Sequence, residues 1–84
     1  MTKDDISKTV KRFILDEFLP GESPSALEGT TPLISGGIID SIGTIKLVNF
    51  LEETYSIKFK AHEFKDNLDT IESIVGIVEK KASP

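Results

Sequence analysis

Apolar residues recur at three- and four-residue steps in three segments of the chain, which is the spacing of one helix face. The pattern predicts a first helix over residues 4–19, a second over 41–55 and a last one that begins after residue 70. Pro20 and Gly21 are expected to stop the first helix. The three predicted stripes are Ile6, Val10, Phe13, Ile14 and Phe18; Leu47, Val48, Leu51 and Tyr55; and Ile71, Ile74, Val75 and Val78.

The segments between these helices complete the predicted architecture. Residues 20–40 form a loop rich in Pro and Gly, and its aliphatic residues Leu33, Ile34, Ile38 and Ile39 predict that it packs across the helices. Apolar and polar residues alternate at residues 56–60, which suggests a short strand. A strand is disfavoured because the sequence offers no second strand to pair with it. A helical turn is predicted at residues 61–66. We therefore expect an all-α fold: a small four-helix bundle, with three main helices plus one short helix, and a long loop between the first and second helices.

Polar residues at the ends of the stripes indicate where the helices begin and end. Asp4 and Asp5 lie at the start of the first helix, where carboxylates favour the positive end of the helix dipole. Asp69 and Thr70 are candidate caps of the last helix, with Glu72 or Ser73 three residues beyond them, and Asp69 with Glu72 has the spacing of a capping box. The chain is expected to be one domain over 1–84, with an ordered core at about 4–81.

Composition excludes several classes of function. Ten Lys and Arg against fourteen Asp and Glu give a formal net charge of −4, which argues against binding to nucleic acid or to an anionic membrane. The chain has no Cys and one His, so neither a thiolate nucleophile nor a Cys-based metal site is available. We found neither an apolar run that could span a membrane nor a signal peptide, and predict a cytoplasmic monomer without membrane insertion.

The densest chemical signal is the segment at residues 36–43, Gly-Gly-Ile-Ile-Asp-Ser-Ile-Gly. Ser41 stands where a glycine-containing loop meets a helix, and unpaired N–H groups at a helix start attract anions such as phosphate. Asp40 can cap the helix, or accept a hydrogen bond or help hold a metal beside an incoming phosphate. Both are also ordinary residues at a helix start. Ile42 and Ile45 lie off the core stripe and predict a small exposed apolar patch, here called the Ile42/Ile45 patch.

The order of these features resembles the acyl carrier protein family, which includes the aminoacyl and peptidyl carriers. The resembling stretch runs from about residue 31 to 78, and the first helix fits too. The resemblance implies that Ser41 is modified by 4'-phosphopantetheine, donated by coenzyme A, and that Asp40 is the motif residue before it. It also implies that Ile42, Ile45 and Lys46 lie where partner enzymes bind, and that no residue of the chain is catalytic.

Details of the motif favour one branch of that family. Two residues separate Gly37 from Asp40-Ser41, where carriers of fatty acid synthesis usually have one. Residues 41–45, Ser-Ile-Gly-Thr-Ile, look like the D-alanyl carrier protein and like freestanding aminoacyl or peptidyl carriers. Lys46 stands where both the fatty acid and the D-alanyl carriers tend to be acidic. The sequence therefore predicts a freestanding carrier whose cargo is chosen by another enzyme.

The resemblance implies a carrier that holds an acyl or aminoacyl group as a thioester and moves it between enzymes. Its expected partners are a phosphopantetheinyl transferase, an enzyme that activates the cargo, and a downstream acyltransferase or synthase. The alternative is an unmodified helical adaptor that binds a partner through the Ile42/Ile45 patch. An enzyme is the least favoured interpretation, because Ser41 has no adjacent base and His62 lies in a polar stretch without a partner.

Overall fold

The three main α-helices follow the predicted apolar stripes in the computed structural model, which describes residues 2–82 and, at residues 65 and 66, the backbone only. Helix α1 spans Lys3–Phe18, α2 spans Ser41–Tyr55, α3 spans Phe64–Asn67 and α4 spans Ile71–Ala82. Short 3₁₀ turns lie at Pro24–Ala26 and Ala61–Glu63. The predicted all-α bundle of three main helices and one short helix is confirmed. No described helix has both the length and the apolar character needed to cross a membrane.

The start of α1 lies one residue earlier than predicted, because the side chain of Thr2 caps it. The Asp5 N–H donates to Thr2 Oγ1 at 3.1 Å, and Asp4 and Asp5 lie in the first turn as expected. The helix ends at Phe18, and the chain turns away through Gly21, whose φ of +86° lies in the left-handed region.

Of the two predicted caps of α4, Thr70 is confirmed and Asp69 is wrong. Asp69 and Glu72 do not form the capping box. Thr70 Oγ1 instead accepts from the Ser73 N–H at 3.1 Å, and the Thr70 N–H donates to Ser73 Oγ at 3.2 Å. The box therefore starts one residue later, and Asp69 is left to make a different set of contacts.

The core lies between α1, α2 and α4, and α1 packs most extensively against α4. Leu27, Leu33 and Ile39, from the loop between α1 and α2, are also buried in it. This loop is therefore packed across the helices, as its aliphatic residues predicted. The large hydrophobic residues buried in the main helices are Ile6, Val10 and Ile14 of α1, Leu47, Val48 and Leu51 of α2, and Ile71, Ile74, Val75, Ile77 and Val78 of α4.

The chain between α2 and α3 is held by side-chain contacts. Residues 56–60 form no strand within the described part of the chain. Glu52 Oε2 accepts from the Phe59 N–H at 2.9 Å, and Lys81 Nζ lies 5.3 Å from the centre of the Phe59 ring. Lys81 also pairs with Glu63 at 2.9 Å, so the last turn of α4 fixes the 3₁₀ turn.

Candidate functional site

Ser41 is the first residue of α2 and is exposed. Asp40 before it is the N-cap: its Oδ1 accepts from the Gly43 N–H at 2.7 Å. Its carbonyl oxygen accepts from the N–H and the hydroxyl of Thr44, at 2.8 and 2.9 Å. Asp40 thus fixes the start of the helix, while the Ser41 hydroxyl has no hydrogen bond among the described residues.

The loop reaches Asp40 through two glycines with separate roles. Gly37 has a φ of +83°, a conformation that residues with a Cβ rarely adopt, and its position is open to solvent. Gly43, one turn into α2, is buried against Phe18 from the end of α1. These two positions let the chain turn sharply before Ser41 and let α1 close against the start of α2.

Asp69, just before α4, binds the loop that leads to Asp40 and Ser41. Its Oδ1 accepts from the N–H groups of Ile34 and Ser35 at 2.9 and 2.8 Å, and its Oδ2 accepts from the Ser35 hydroxyl at 2.7 Å. The bonds from Ser35, followed by the bond from Ile34, hold the pKa of the Asp69 carboxyl below its usual range against the opposing effect of burial. Asp69 is therefore a charged acceptor at neutral pH.

The exposed apolar side chains lie beside Ser41. Ile42 and Ile45 are 68% and 58% exposed, and they are the large hydrophobic residues that the described part of the chain leaves in solvent. Their predicted position outside the core is confirmed. Lys46, also exposed, follows them on the helix. A shallow depression of about 310 Å³ adjoins these residues; it is lined by Glu17, Phe18, Gly37, Ile38, Asp40, Ile42, Gly43 and Lys46.

Other candidate chemical groups lie outside this site. His62 is exposed in the 3₁₀ turn at Ala61–Glu63 and makes no hydrogen bond with Ser41. Among the described side chains, those of residues 2–64 and 67–82, we found no group of three or more His, Asp or Glu that could hold a metal ion. Phe50, Phe59 and Phe64 are half-buried against the core, and Phe50 stacks on Phe13 with ring centres 4.1 Å apart. Packing therefore accounts for these aromatic residues.

Sequence reasoning missed Asp69 as a residue of this site. It treated Asp69 as a helix cap, and the partners of its side chain lie 34 and 35 residues earlier in the chain. A contact across that separation has no local pattern. The one available signal was that Asp69 and Thr70 both qualified as caps, so one of them was free for another role.

Comparisons with known proteins concern the sequence and the fold of the chain. No protein-family model matches the chain. The chain is similar to D-alanyl carrier proteins of Streptococcus pyogenes, among them those of serotype M5 (strain Manfredo), serotype M49 (strain NZ131) and serotype M1. Each is 41% identical over 49 residues, which are 57% of this chain and 62% of the relative. The match thus covers less than two thirds of the length of these relatives.

The fold also occurs in a solved structure. The structure described as "Structure of KstB-PCP(apo)" superposes with a TM-score of 0.73 over 99% of this chain and 92% of the other, at 23% sequence identity. At that identity the likeness concerns the fold. The two comparisons together confirm the predicted resemblance to carrier proteins and the predicted fold. The relatives that the sequence comparison names are carrier proteins, which are non-catalytic.

Proposed function

We propose that this chain, which resembles carrier proteins in sequence and in fold, is a phosphopantetheinyl carrier whose attachment site is Ser41. The observation that supports the proposal is the position of Ser41. Its hydroxyl is exposed and without an intramolecular hydrogen bond, yet its backbone is fixed by the neighbouring Asp40 cap. A transferase needs both properties in the residue it modifies: access to the oxygen and a defined approach.

The residues around Ser41 suit a phosphate group. Asp40 bonds the Gly43 N–H through Oδ1 and the Thr44 N–H through its carbonyl oxygen. The N–H groups of Ser41 and Ile42 make no hydrogen bond with the described residues, so they are available to an anion at the positive end of the α2 dipole. The fit is therefore to a phosphate held beside the helix start, on Ser41 itself.

The chain supplies placement, and the attached group supplies the reactive atom. When bound, phosphopantetheine provides a terminal thiol that holds an acyl or aminoacyl unit as a thioester. The Cys-free chain has no thiol of its own to compete for that unit. Fixing the attachment point on a rigid helix start raises the effective concentration of the cargo at a docked partner's active site.

The partner-binding surface consists of Ile42, Ile45 and Lys46, together called the docking patch. Two exposed isoleucines give a small apolar contact, and Lys46 adds one positive charge within a chain of net charge −4. Small contacts of this kind suit transient complexes with successive enzymes. The partners are a phosphopantetheinyl transferase, an activating enzyme, and an acyltransferase or synthase. Charge at the rim would steer their approach more than it would strengthen binding.

An aminoacyl unit is the cargo that the comparisons favour. The relatives of this chain are D-alanyl carrier proteins. The Ser-Ile-Gly-Thr-Ile segment that starts at Ser41 also resembles D-alanyl carrier proteins. We therefore propose an aminoacyl unit, with D-alanine as the first to test.

A second function is supported by the same exposed isoleucines. An adaptor that is never modified would also place Ile42 and Ile45 in solvent, to bind one partner. It would not require a free hydroxyl at residue 41. Modification of Ser41 therefore separates the two functions.

The test is the intact mass of the chain after incubation with coenzyme A and a broad-specificity phosphopantetheinyl transferase. We expect one added phosphopantetheine on the wild type and none on Ser41→Ala. Because the Ser41 side chain bonds nothing among the described residues, this variant should keep the helicity of the wild type by circular dichroism. No addition to the wild type, with a transferase shown to load another carrier, would favour the adaptor.

A further inference from the structure

The side chain of Asp69 reaches the loop only a few residues before Ser41. Asp69 lies directly before the cap of α4, yet all three hydrogen bonds of its carboxylate go to Ile34 and Ser35. Its carbonyl oxygen also accepts from the Leu33 N–H at 2.6 Å. Three successive residues of the loop are thus fixed to one residue of the α4 end of the bundle.

A continuous set of contacts runs from Asp69 to Ser41. The carbonyl oxygen of Leu33 accepts from the N–H groups of Ile38 and Ile39 at 2.9 and 3.0 Å, which closes the turn that contains Gly37. Ile39 is buried, and the next residue is the Asp40 cap. The direction in which Asp40 and Ser41 leave the loop is therefore set by the turn that Asp69 anchors.

Removing the Asp69 side chain would affect this turn more than the rest of the fold. The Ile34 N–H is partly buried and would lose its acceptor, and hydrogen bonds to a charged acceptor are among the stronger ones. Leu33 would still be held in the core by its buried side chain. The predicted consequence is a bundle that stays folded while the loop from residue 34 to Ser41 samples other conformations.

We infer that Asp69 is a positioning residue for Ser41, acting through the turn at residues 33–39. The inference rests on the proposed function, since it concerns the presentation of Ser41 to a transferase. A carrier binds its transferase only in the conformation that presents Ser41. If that conformation is populated for only part of the time, the apparent affinity falls in proportion to its population. The effect should therefore lie in KM rather than in kcat.

The experiment compares three variants with the wild type in initial-rate loading by a transferase and coenzyme A. Asp69→Ala removes all three side-chain bonds and should lower kcat/KM at least about tenfold, mainly through KM, because a factor of about ten corresponds to the net contribution of one such bond. Asp69→Asn keeps an oxygen for the two N–H donors and should restore most of kcat/KM. Val10→Ala truncates a core residue of α1 away from the loop and should lower the thermal midpoint, yet leave kcat/KM within about twofold.

Amide hydrogen exchange of the same variants gives a reading that does not depend on loading. Asp69→Ala should exchange faster at residues 34–41, whereas Val10→Ala should not single out this segment. The inference would be overturned if Asp69→Ala had the kcat/KM of the wild type. It would also be overturned if Val10→Ala, with the same thermal midpoint as Asp69→Ala, lost as much kcat/KM. If the wild type is not loaded at all, the proposed function fails. Unchanged exchange at residues 34–41 in Asp69→Ala would then overturn the structural link separately.

Discussion

The ring of Phe18 lies against Gly43 so closely that a Cβ on Gly43 would stand 2.7 Å from Phe18 Cε1. The same Cβ would come within 3.0 Å of Ile39 Cγ2 and 3.1 Å of Asp40 Oδ1. Gly43 therefore lies where the end of α1, the end of the loop and the cap of α2 meet. The absence of a side chain there lets three elements close around the start of α2.

Gly43→Ala should destabilise the domain, because Phe18 and the Asp40 cap would both have to move. We expect a loss of about 1–3 kcal/mol in the free energy of unfolding, the usual cost of overpacking a well-filled site. Urea denaturation followed by circular dichroism measures it. Stability equal to that of the wild type would show that Phe18 gives way at no cost.

Gly76→Ala is the matched control and should have the opposite sign. Gly76 lies inside α4, is exposed, and has nothing within 4 Å of the position of an added Cβ. Alanine should therefore stabilise the helix by roughly 0.5–1 kcal/mol, the difference between the two residues in a helix interior. The same denaturation assay checks it, and a destabilised Gly76→Ala would point to an unseen contact at this surface.

Sequence patterns predicted the elements of this fold whose determinants are local. The bounds of α2 follow from Asp40 before it and from the stripe of Leu47, Val48 and Leu51 within it. The buried loop followed from the aliphatic residues around residues 33–39. Each of these depends on neighbours within a few residues along the chain.

The contacts that the sequence did not predict join distant segments. Asp69 bonds Ser35, Phe18 packs on Gly43, and Lys81 pairs with Glu63. Side chains of these types occur on many surfaces, so nothing in their local sequence distinguishes them. Only the folded arrangement, which brings α4 beside the loop and the 3₁₀ turn, gives each of them a partner.

Asp69 should make stability depend on pH at the acid end. Its pKa is lowered in the folded chain, so its contribution is complete above the pKa of the unfolded chain, about 4, and is lost as the pH falls through the folded value. The difference in free energy of unfolding between the wild type and Asp69→Asn should therefore shrink from pH 5 to about pH 2.

Glu63 provides the control for that measurement. Its pKa is also lowered, first by the hydrogen bond from the Lys60 N–H and then by the bond from Lys81. Glu63→Gln should remove a separate part of the acid dependence without altering the part assigned to Asp69. A wild-type to Asp69→Asn difference that stays constant with pH would contradict the assignment.

Asp40 should stabilise α2 through its cap rather than through its charge. Asp40→Ala removes the acceptor of the Gly43 N–H and should cost about 1 kcal/mol. Asp40→Asn keeps a side-chain oxygen at the same position and should unfold within about 0.5 kcal/mol of the wild type, because Asn and Asp are similar N-caps. Thermal denaturation compares them, and an Asp40→Asn variant as unstable as Asp40→Ala would contradict capping as the role.

Ile45→Asp should weaken cargo transfer without unfolding the domain. Ile45 is 58% exposed, so a carboxylate there leaves the core intact and should change the free energy of unfolding by no more than about 0.5 kcal/mol. A partner that buries Ile45 would instead have to desolvate the new charge, and we expect about a tenfold or greater fall in the kcat/KM of transfer. Thr9→Asp, at an exposed position on α1, makes the same change of charge away from the docking patch and should transfer normally. Normal transfer by Ile45→Asp would show that partners do not use this isoleucine, whereas slow transfer by both variants would assign the effect to net charge.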